Sequence, residues 1–311
     1  MKQALRSLSK SPGFFAVAVL TLAIGMGANT TFFSVLYGVV LRGLPFPNAS
    51  ELVEIRNLGP ALGNNLGRVS IAHLRDYRER QRSFAGLGAY TIGRTTLSLA
   101  DGAERVIVMR ATANLFPVLG VAPSLGRNFN ESEELGASGR VVIVSHDFWQ
   151  NHLGGTPQVL EQTVRLNGTP CTIIGVMPAG FSFGEAGVAL WQPLDFTPRG
   201  ASDRTDLFLS VVARRAADAS PAQAAADLQR VARQLRADMP AEYPVESQWT
   251  LGLVPLRDAQ YGQMRAPLAA LTAAAAAVLL IACVNVAIMF LLRAAVRRRE
   301  IAIRLSLGAG R

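Results

Sequence analysis

The sequence predicts an α+β extracytoplasmic domain, with mixed strands and helices in two lobes, flanked by two transmembrane α-helices. Three observations lead there. Residues 11–41 and 266–292 contain no charged side chain, and about 20 apolar residues at ~1.5 Å each suffice to cross a ~30 Å hydrocarbon core. The net charge of +9 is not spread along the chain: from Arg42 to Arg265, 22 arginines are balanced by 21 acidic residues. Between the two apolar runs, short alternating strand patterns are interspersed with amphipathic helical ones, the pattern of a mixed globular domain.

The charge excess sits beside the apolar runs. Lys2, Arg6 and Lys10 precede the first, and Arg293, Arg297, Arg298, Arg299, Arg304 and Arg311, against Glu300, follow the second. Cytoplasmic membrane flanks carry such an excess, so the basic balance does not indicate a nucleic-acid face. A composition that is 50% hydrophobic and only 17% charged leans the same way. Both chain ends are therefore expected in the cytoplasm and residues 42–265 outside it.

Residues 1–12 form a basic flank, either plain or lying on the membrane surface. Residues 13–41 form the first predicted span. A cleavable signal shares the basic start, but its apolar region ends after about 7–15 residues, whereas this run continues to Val40. Gly25, Gly27, Ala28 and Ser34 are small enough to let another helix approach closely.

Pro45 and Pro47 end that helix. In the region 42–265, strands are predicted at 51–56, 95–99, 104–111, 140–145 and 207–215, and in a hairpin over 163–178 turning at Asn167-Gly168. Ser70 begins one helix. Ser220-Pro221 begins another, whose Leu228, Val231, Ala232 and Leu235 share a face. The order strand, helix, strand over 207–215, 221–239 and 248–256 predicts a βαβ-like unit. Cys171 in a strand and Cys283 in the second apolar run are not expected to pair.

Chemistry is sought and not found. The lysines are Lys2 and Lys10, neither behind a glycine, so there is no phosphate loop of the Gly-Lys-Ser/Thr kind. His73, His146 and His152 lack metal-ligand spacing. Ser145-His146-Asp147 has the letters of a catalytic triad, but triad members meet in space rather than as neighbours, and the expected role of Ser145 is to cap a short helix. No catalytic, cofactor or metal site is expected.

The second span, 266–292, carries Asn285 deep in its apolar run; such a residue faces another helix or its own backbone. The basic segment 293–311 follows. Ile301 and Leu305 share one helical face, and Glu300 precedes Arg304 by four residues on the adjacent face. The pattern alone suits either a protein partner or a membrane surface.

Several phrases resemble the MacB/FtsX-type permeases of ABC transporters, in particular the MacB-like permeases of the duplicated orphan class. They are SPGFFAVAVLTLAIGMGANTTFFSVLYGVVLRGLPFP, ATANLFPVLGVAPSLGRNF, VVIVSHDFWQ, LNGTPCTIIGVMPAGFSF, LWQPL and LLIACVNVAIMFLLRAAVRRREIAIRLSLGAGR. The resemblance implies a MacB-like periplasmic core in residues 42–265 and a truncated start of an FtsX-like domain in 293–311. Arg299, Glu300, Ile301, Arg304 and Leu305 would then couple to an ATPase, and Gly25, Gly27 and Asn285 would pack helices within the membrane. It further implies a non-enzymatic, multi-pass inner-membrane permease, or the N-terminal portion of one. Its partners would be an ABC ATPase, a second permease copy or half, a periplasmic adaptor and lipid, with no nucleic acid. A different class stays open on the residues alone, a membrane-anchored sensor or scaffold whose outer domain binds a ligand.

Overall fold

The computed structural model describes residues 12–36, 43–65, 67–99, 102–134, 140–196 and 203–306. These fall into two compact units, Leu44–Gln260 and a second made from residues 1–43 and 261–311.

In the first unit a ten-stranded mixed sheet runs in the order β10-β1-β9-β2-β3-β8-β5-β7-β4, with β6 pairing both β2 and β7. The strands are β1 (Leu52–Leu58), β2 (Phe84–Leu99), β3 (Gly102–Ala111), β4 (Leu125–Gly126), β5 (Val141–Val144), β6 (Thr163–Leu166), β7 (Thr169–Val176), β8 (Val188–Pro193), β9 (Ser210–Arg215) and β10 (Thr250–Pro255). The sixteen-residue β2 is the spine: residues 84–90 pair with β9, and residues 90–99 pair with β3. The two lobes expected from the sequence are thus two hydrophobic cores along one continuous sheet.

The helices are α1 (Pro12–Leu36), α2 (Ile71–Arg80), α3 (Leu115–Leu119), α4 (His146–His152), α5 (Pro221–Asp238) and α6 (Leu256–Ser306). In the first core, Leu74 and Tyr77 of α2 and Leu228, Val231 and Leu235 of α5 pack on Val53, Ile55, Leu87, Ala89, Val211 and Ala213 of the sheet. In the second, Phe148 of α4 packs on Leu97, Val108, Val142, Val144, Ile173 and Leu190. Leu87, Ala89 and Leu97 have the same parity along β2, so both cores lie on one face of the sheet. Strand β1 lies between β9 and β10 and is antiparallel to both, so the predicted strand–helix–strand unit holds a third strand in its middle.

Local signals set the helix starts. The Ser70 and Ser220 hydroxyls accept from the backbone N–H three residues on, and His73 and Gln223 reach back to complete capping boxes. Ser145 caps α4 through the Phe148 N–H. At the β6–β7 turn, Asn167 and Gly168 have φ of 49° and 80°, the conformation that a two-residue hairpin requires.

Helix α6 departs from expectation. It begins at Leu256, directly after β10, ten residues before the apolar run, and it runs unbroken through Pro267 to Ser306. The basic segment is therefore, as far as Ser306, the end of one long helix, and residues 307–311 lie outside the description. Among the described residues one stretch, Leu256–Ala295, is long and apolar enough to cross a membrane by length and composition. The first predicted span maps onto the 25-residue α1, with residues 1–11 and 37–42 outside the description.

Candidate functional site

Two places bring together the residues that the sequence singles out. The first is the seam between α1 and α6. Along α6 from Ala266 to Ala295 the residues least exposed are Leu268, Thr272, Ala275, Leu279, Ala282, Val286, Met289 and Arg293. They alternate in steps of four and three, the heptad spacing of left-handed helix pairs. Gly25 of α1 faces this seam: a Cβ there would lie 3.2 Å from Leu279 Cδ1 and 3.4 Å from the Ala282 Cβ. Gly27 and Asn285 do not join it. Gly27 lies two residues round the helix from Gly25, is exposed, and has open space where its Cβ would stand. Asn285 is exposed beside Val286 rather than on the seam. Thr31 and Ser34 donate their hydroxyls to the carbonyls of Gly27 and Thr30 at 2.9 and 2.8 Å, which satisfies these polar groups within their own helix.

Arg299, Glu300, Ile301, Arg304 and Leu305, which the family resemblance marks for coupling, all fall in the last turns of α6. Their side chains lie outside the description.

The second place is a junction on the sheet face opposite the two cores. Residues 44–47, α3, the 177–183 loop and β8 are far apart in sequence but meet there. Phe116 of α3 contacts Phe129, Phe181 and Trp191 with ring centroids 5.9–6.2 Å apart. Phe46 reaches Phe181 and Phe183 at 6.3 and 6.0 Å, and Phe183 meets Tyr90 of β2 edge-on at 5.0 Å. Tilted and edge-on aromatic pairs of this kind add specific attraction to the area that they bury. Glycine lets α3 come close: a Cβ on Gly88 would sit 2.6 Å from the Leu115 Cα.

Arg214 of β9 fastens the same junction. Its Nε donates to the Val118 carbonyl at 2.9 Å, Nη2 to Pro47 at 3.0 Å and Nη1 to Asn48 at 3.4 Å, while Nη1 also pairs with the Glu51 carboxylate at 3.1 Å. One guanidinium thus holds the segment leading into β1, the end of α3 and the sheet together. Gly120, with φ of 73°, makes room: a Cβ there would approach Pro47 Cγ at 3.3 Å and Arg214 Nη2 at 3.4 Å. Sequence reading found the phrases but not Arg214, because a lone arginine in a strand carries no pattern.

The Ser145 hydroxyl is used as a cap, and His146 approaches Asp147 only to 3.8 Å. Among the described residues no group of three His, Cys, Asp or Glu side chains could hold a metal ion. Cys171 is buried and Cys283 exposed, and neither forms a disulfide.

No curated protein sequence matches the chain. Among solved structures it is similar to a domain of a putative permease protein from Porphyromonas gingivalis, with a TM-score of 0.52 and 16% identity over 68% of this chain and 92% of that one. It is also similar to the periplasmic region of MacB from Actinobacillus actinomycetemcomitans, with a TM-score of 0.49 and 14% identity over 70% and 93% of the two chains. Residues 15–231 match the sequence profile of the MacB-like periplasmic core domain. That match takes in α1, the motif junction and most of the sheet, and the chain belongs to this family of MacB-like ABC transporter permeases.

Proposed function

We propose that the chain is a permease subunit, or the N-terminal part of one, of an inner-membrane ABC transporter. In this reading α1 and α6 both cross the bilayer and the Leu44–Gln260 unit lies in the periplasm. A partner ATPase docks on the end of α6 around Glu300, and a second permease copy or half completes the dimer. The subunit is itself non-enzymatic. It carries movement outward, for export or for work on a periplasmic adaptor, while its exposed helix faces contact lipid.

The observation that carries the reading is how the chain enters and leaves the sheet. Strand β1 begins six residues after Phe46 and is antiparallel to β10, with Val53 opposite Pro255. The chain therefore enters and leaves at one end of two neighbouring strands. No loop separates β10 from α6, since Leu256 follows Pro255 and is fully buried. Arg214 and the aromatic junction hold the incoming segment. A pull on either attached segment would act on rigid structure, as a mechanical transmitter requires.

The test is reconstitution of the full chain with candidate ABC ATPases from the same genome. Co-purification is expected, with Glu300→Lys weakening association at least ~5-fold while membrane insertion stays unchanged. A chain that inserts correctly but neither binds any of these ATPases nor alters their turnover would contradict the proposal.

A further inference from the structure

A cavity of roughly 600 Å³ opens beside α2, the residues after α5 and the 203–207 segment, within the first core. Apolar surface from Leu62, Leu207 and the Trp249 ring lines it above a polar floor. Dimensions of this order and a few convergent polar groups are what small-molecule sites share.

The floor can be assigned proton by proton. The backbone N–H of Ser70 points at His73 Nδ1 from 3.3 Å, and the Ser70 hydroxyl lies 2.7 Å from the same nitrogen. The Ser70 oxygen itself accepts from the His73 backbone N–H at 3.2 Å. Nδ1 is thus an acceptor, and the proton of the neutral ring sits on Nε2, which donates to the Tyr243 hydroxyl at 2.9 Å. Burial, with Arg204 nearby, keeps the ring neutral by lowering its pKa to about 4. Arg204 Nη1 donates to the same hydroxyl at 3.1 Å. With two donors already on its oxygen, Tyr243 keeps its own O–H proton to give. Trp249 is 4% exposed, and among the described residues no acceptor meets its indole N–H.

The acceptors, by contrast, are used in part. Asp76 and Glu242 bind Arg204 at 2.5 and 2.6 Å. Asp203 takes both the N–H and the hydroxyl of Thr205 at 2.7 Å. Asn57 accepts from Tyr77 at 2.6 Å and donates to the Arg68 carbonyl at 2.9 Å. The face of Tyr243 that would attract a cation already has the Arg204 guanidinium 5.9 Å from its centroid. Spare donors remain beside an apolar wall and an excess of negative charge, since Arg204 stands against Asp76, Glu242 and Asp203.

We propose that this cavity binds a largely apolar molecule that carries no negative charge, through its carbonyl or ester oxygens, with Tyr243 O–H and Trp249 N–H as donors. An anion would compete with two carboxylates for Arg204 and would face a third, Asp203.

Three probes with one apolar body test this at pH 6: N-acetyl-leucine methyl ester (neutral), N-acetyl-leucine (anion) and leucine methyl ester (cation). Binding to the full chain in nanodiscs would be followed by saturation-transfer NMR, with empty nanodiscs as the blank. Both esters should bind at least ~10-fold more tightly than the anion. Trp249→Phe should weaken ester binding about 3- to 10-fold, as loss of one neutral hydrogen bond does. Leu207→Trp, which fills the cavity from its wall without touching the network, should abolish binding at unchanged thermal stability. Tightest binding of the anion, absence of ester binding, or binding indifferent to Leu207→Trp would each overturn the proposal.

Discussion

His73 shows how a residue can look chemical and be structural. It stands 2.7 Å from a serine hydroxyl and 2.9 Å from a tyrosine, yet the serine is fully buried and caps α2. What this environment controls is protonation. Burial is the largest cause of the lowered pKa, Arg204 adds to it, and Asp76 opposes both; the phenols of Tyr77 and Tyr243, themselves raised by burial, face the same ring. A folded-state pKa of about 4 against an ordinary 6.5 means that the unfolded chain takes up the proton first. The stabilisation from neutral His73 is complete above pH 6.5 and is lost as pH falls towards 4. Between pH 7 and pH 5 this residue is expected to cost about 2 kcal/mol of stability. Urea unfolding of the full chain, followed by tryptophan fluorescence, checks it. His73→Gln should be less stable than the parent at pH 7 but lose about 2 kcal/mol less on going to pH 5. Equal pH dependence of the two proteins would show that His73 does not titrate as described.

At the scale of elements, glycine explains both what the sequence revealed and what it hid. Strands β1, β3, β5 and β9, the β6–β7 hairpin and helices α2 and α5 were legible, because their apolar periodicity and caps are local signals. The first half of β2 was not: Gly86, Gly88 and Gly93 read as strand breakers. The structure gives two of them a use, since Gly86 and Gly88 point at Val118 and Leu115 of α3. Helix α3 was hidden too, being five residues long with Pro117 inside. Its position depends on contacts from β2 and Arg214, which no local pattern encodes. The pair Gly88 and Gly93 separates close approach from plain flexibility. Gly88→Ala would drive a methyl into the Leu115 backbone and should cost about 2–3 kcal/mol, as overpacking does. Gly93→Ala meets nothing within 4 Å and should be neutral or gain about 0.5 kcal/mol. Thermal unfolding of the two variants measures the contrast, and equal effects would remove the packing explanation.

For the whole molecule, the movement proposed above would have to pass through the connection at Pro255–Leu256. The sequence located the apolar run but not the early start of α6, because residues 256–265 carry neither a cap motif nor an apolar stripe. That start removes the loop that would otherwise absorb a displacement. Strand β10 pairs with β1 over six residues, and a displacement of β10 along its axis must shift or break that whole ladder together. Inserting Gly-Gly between Pro255 and Leu256 supplies the missing slack while leaving the sheet and both helices intact. The control is the same insertion between Val245 and Glu246, where Val245 is 85% exposed. The readout is the modification rate of a cysteine placed at the exposed Ala103 in a background lacking Cys171 and Cys283, with the ATPase partner bound and nucleotide added or withheld. The parent and the control should show a nucleotide-dependent rate. The Pro255–Leu256 insertion should keep ATPase binding within about 2-fold, since a flexible linker leaves the docking residues untouched, and lose the nucleotide dependence. A nucleotide response of parental size in that insertion would mean that the direct β10–α6 connection does not carry the movement, leaving the segment held by Arg214 as the route into the sheet.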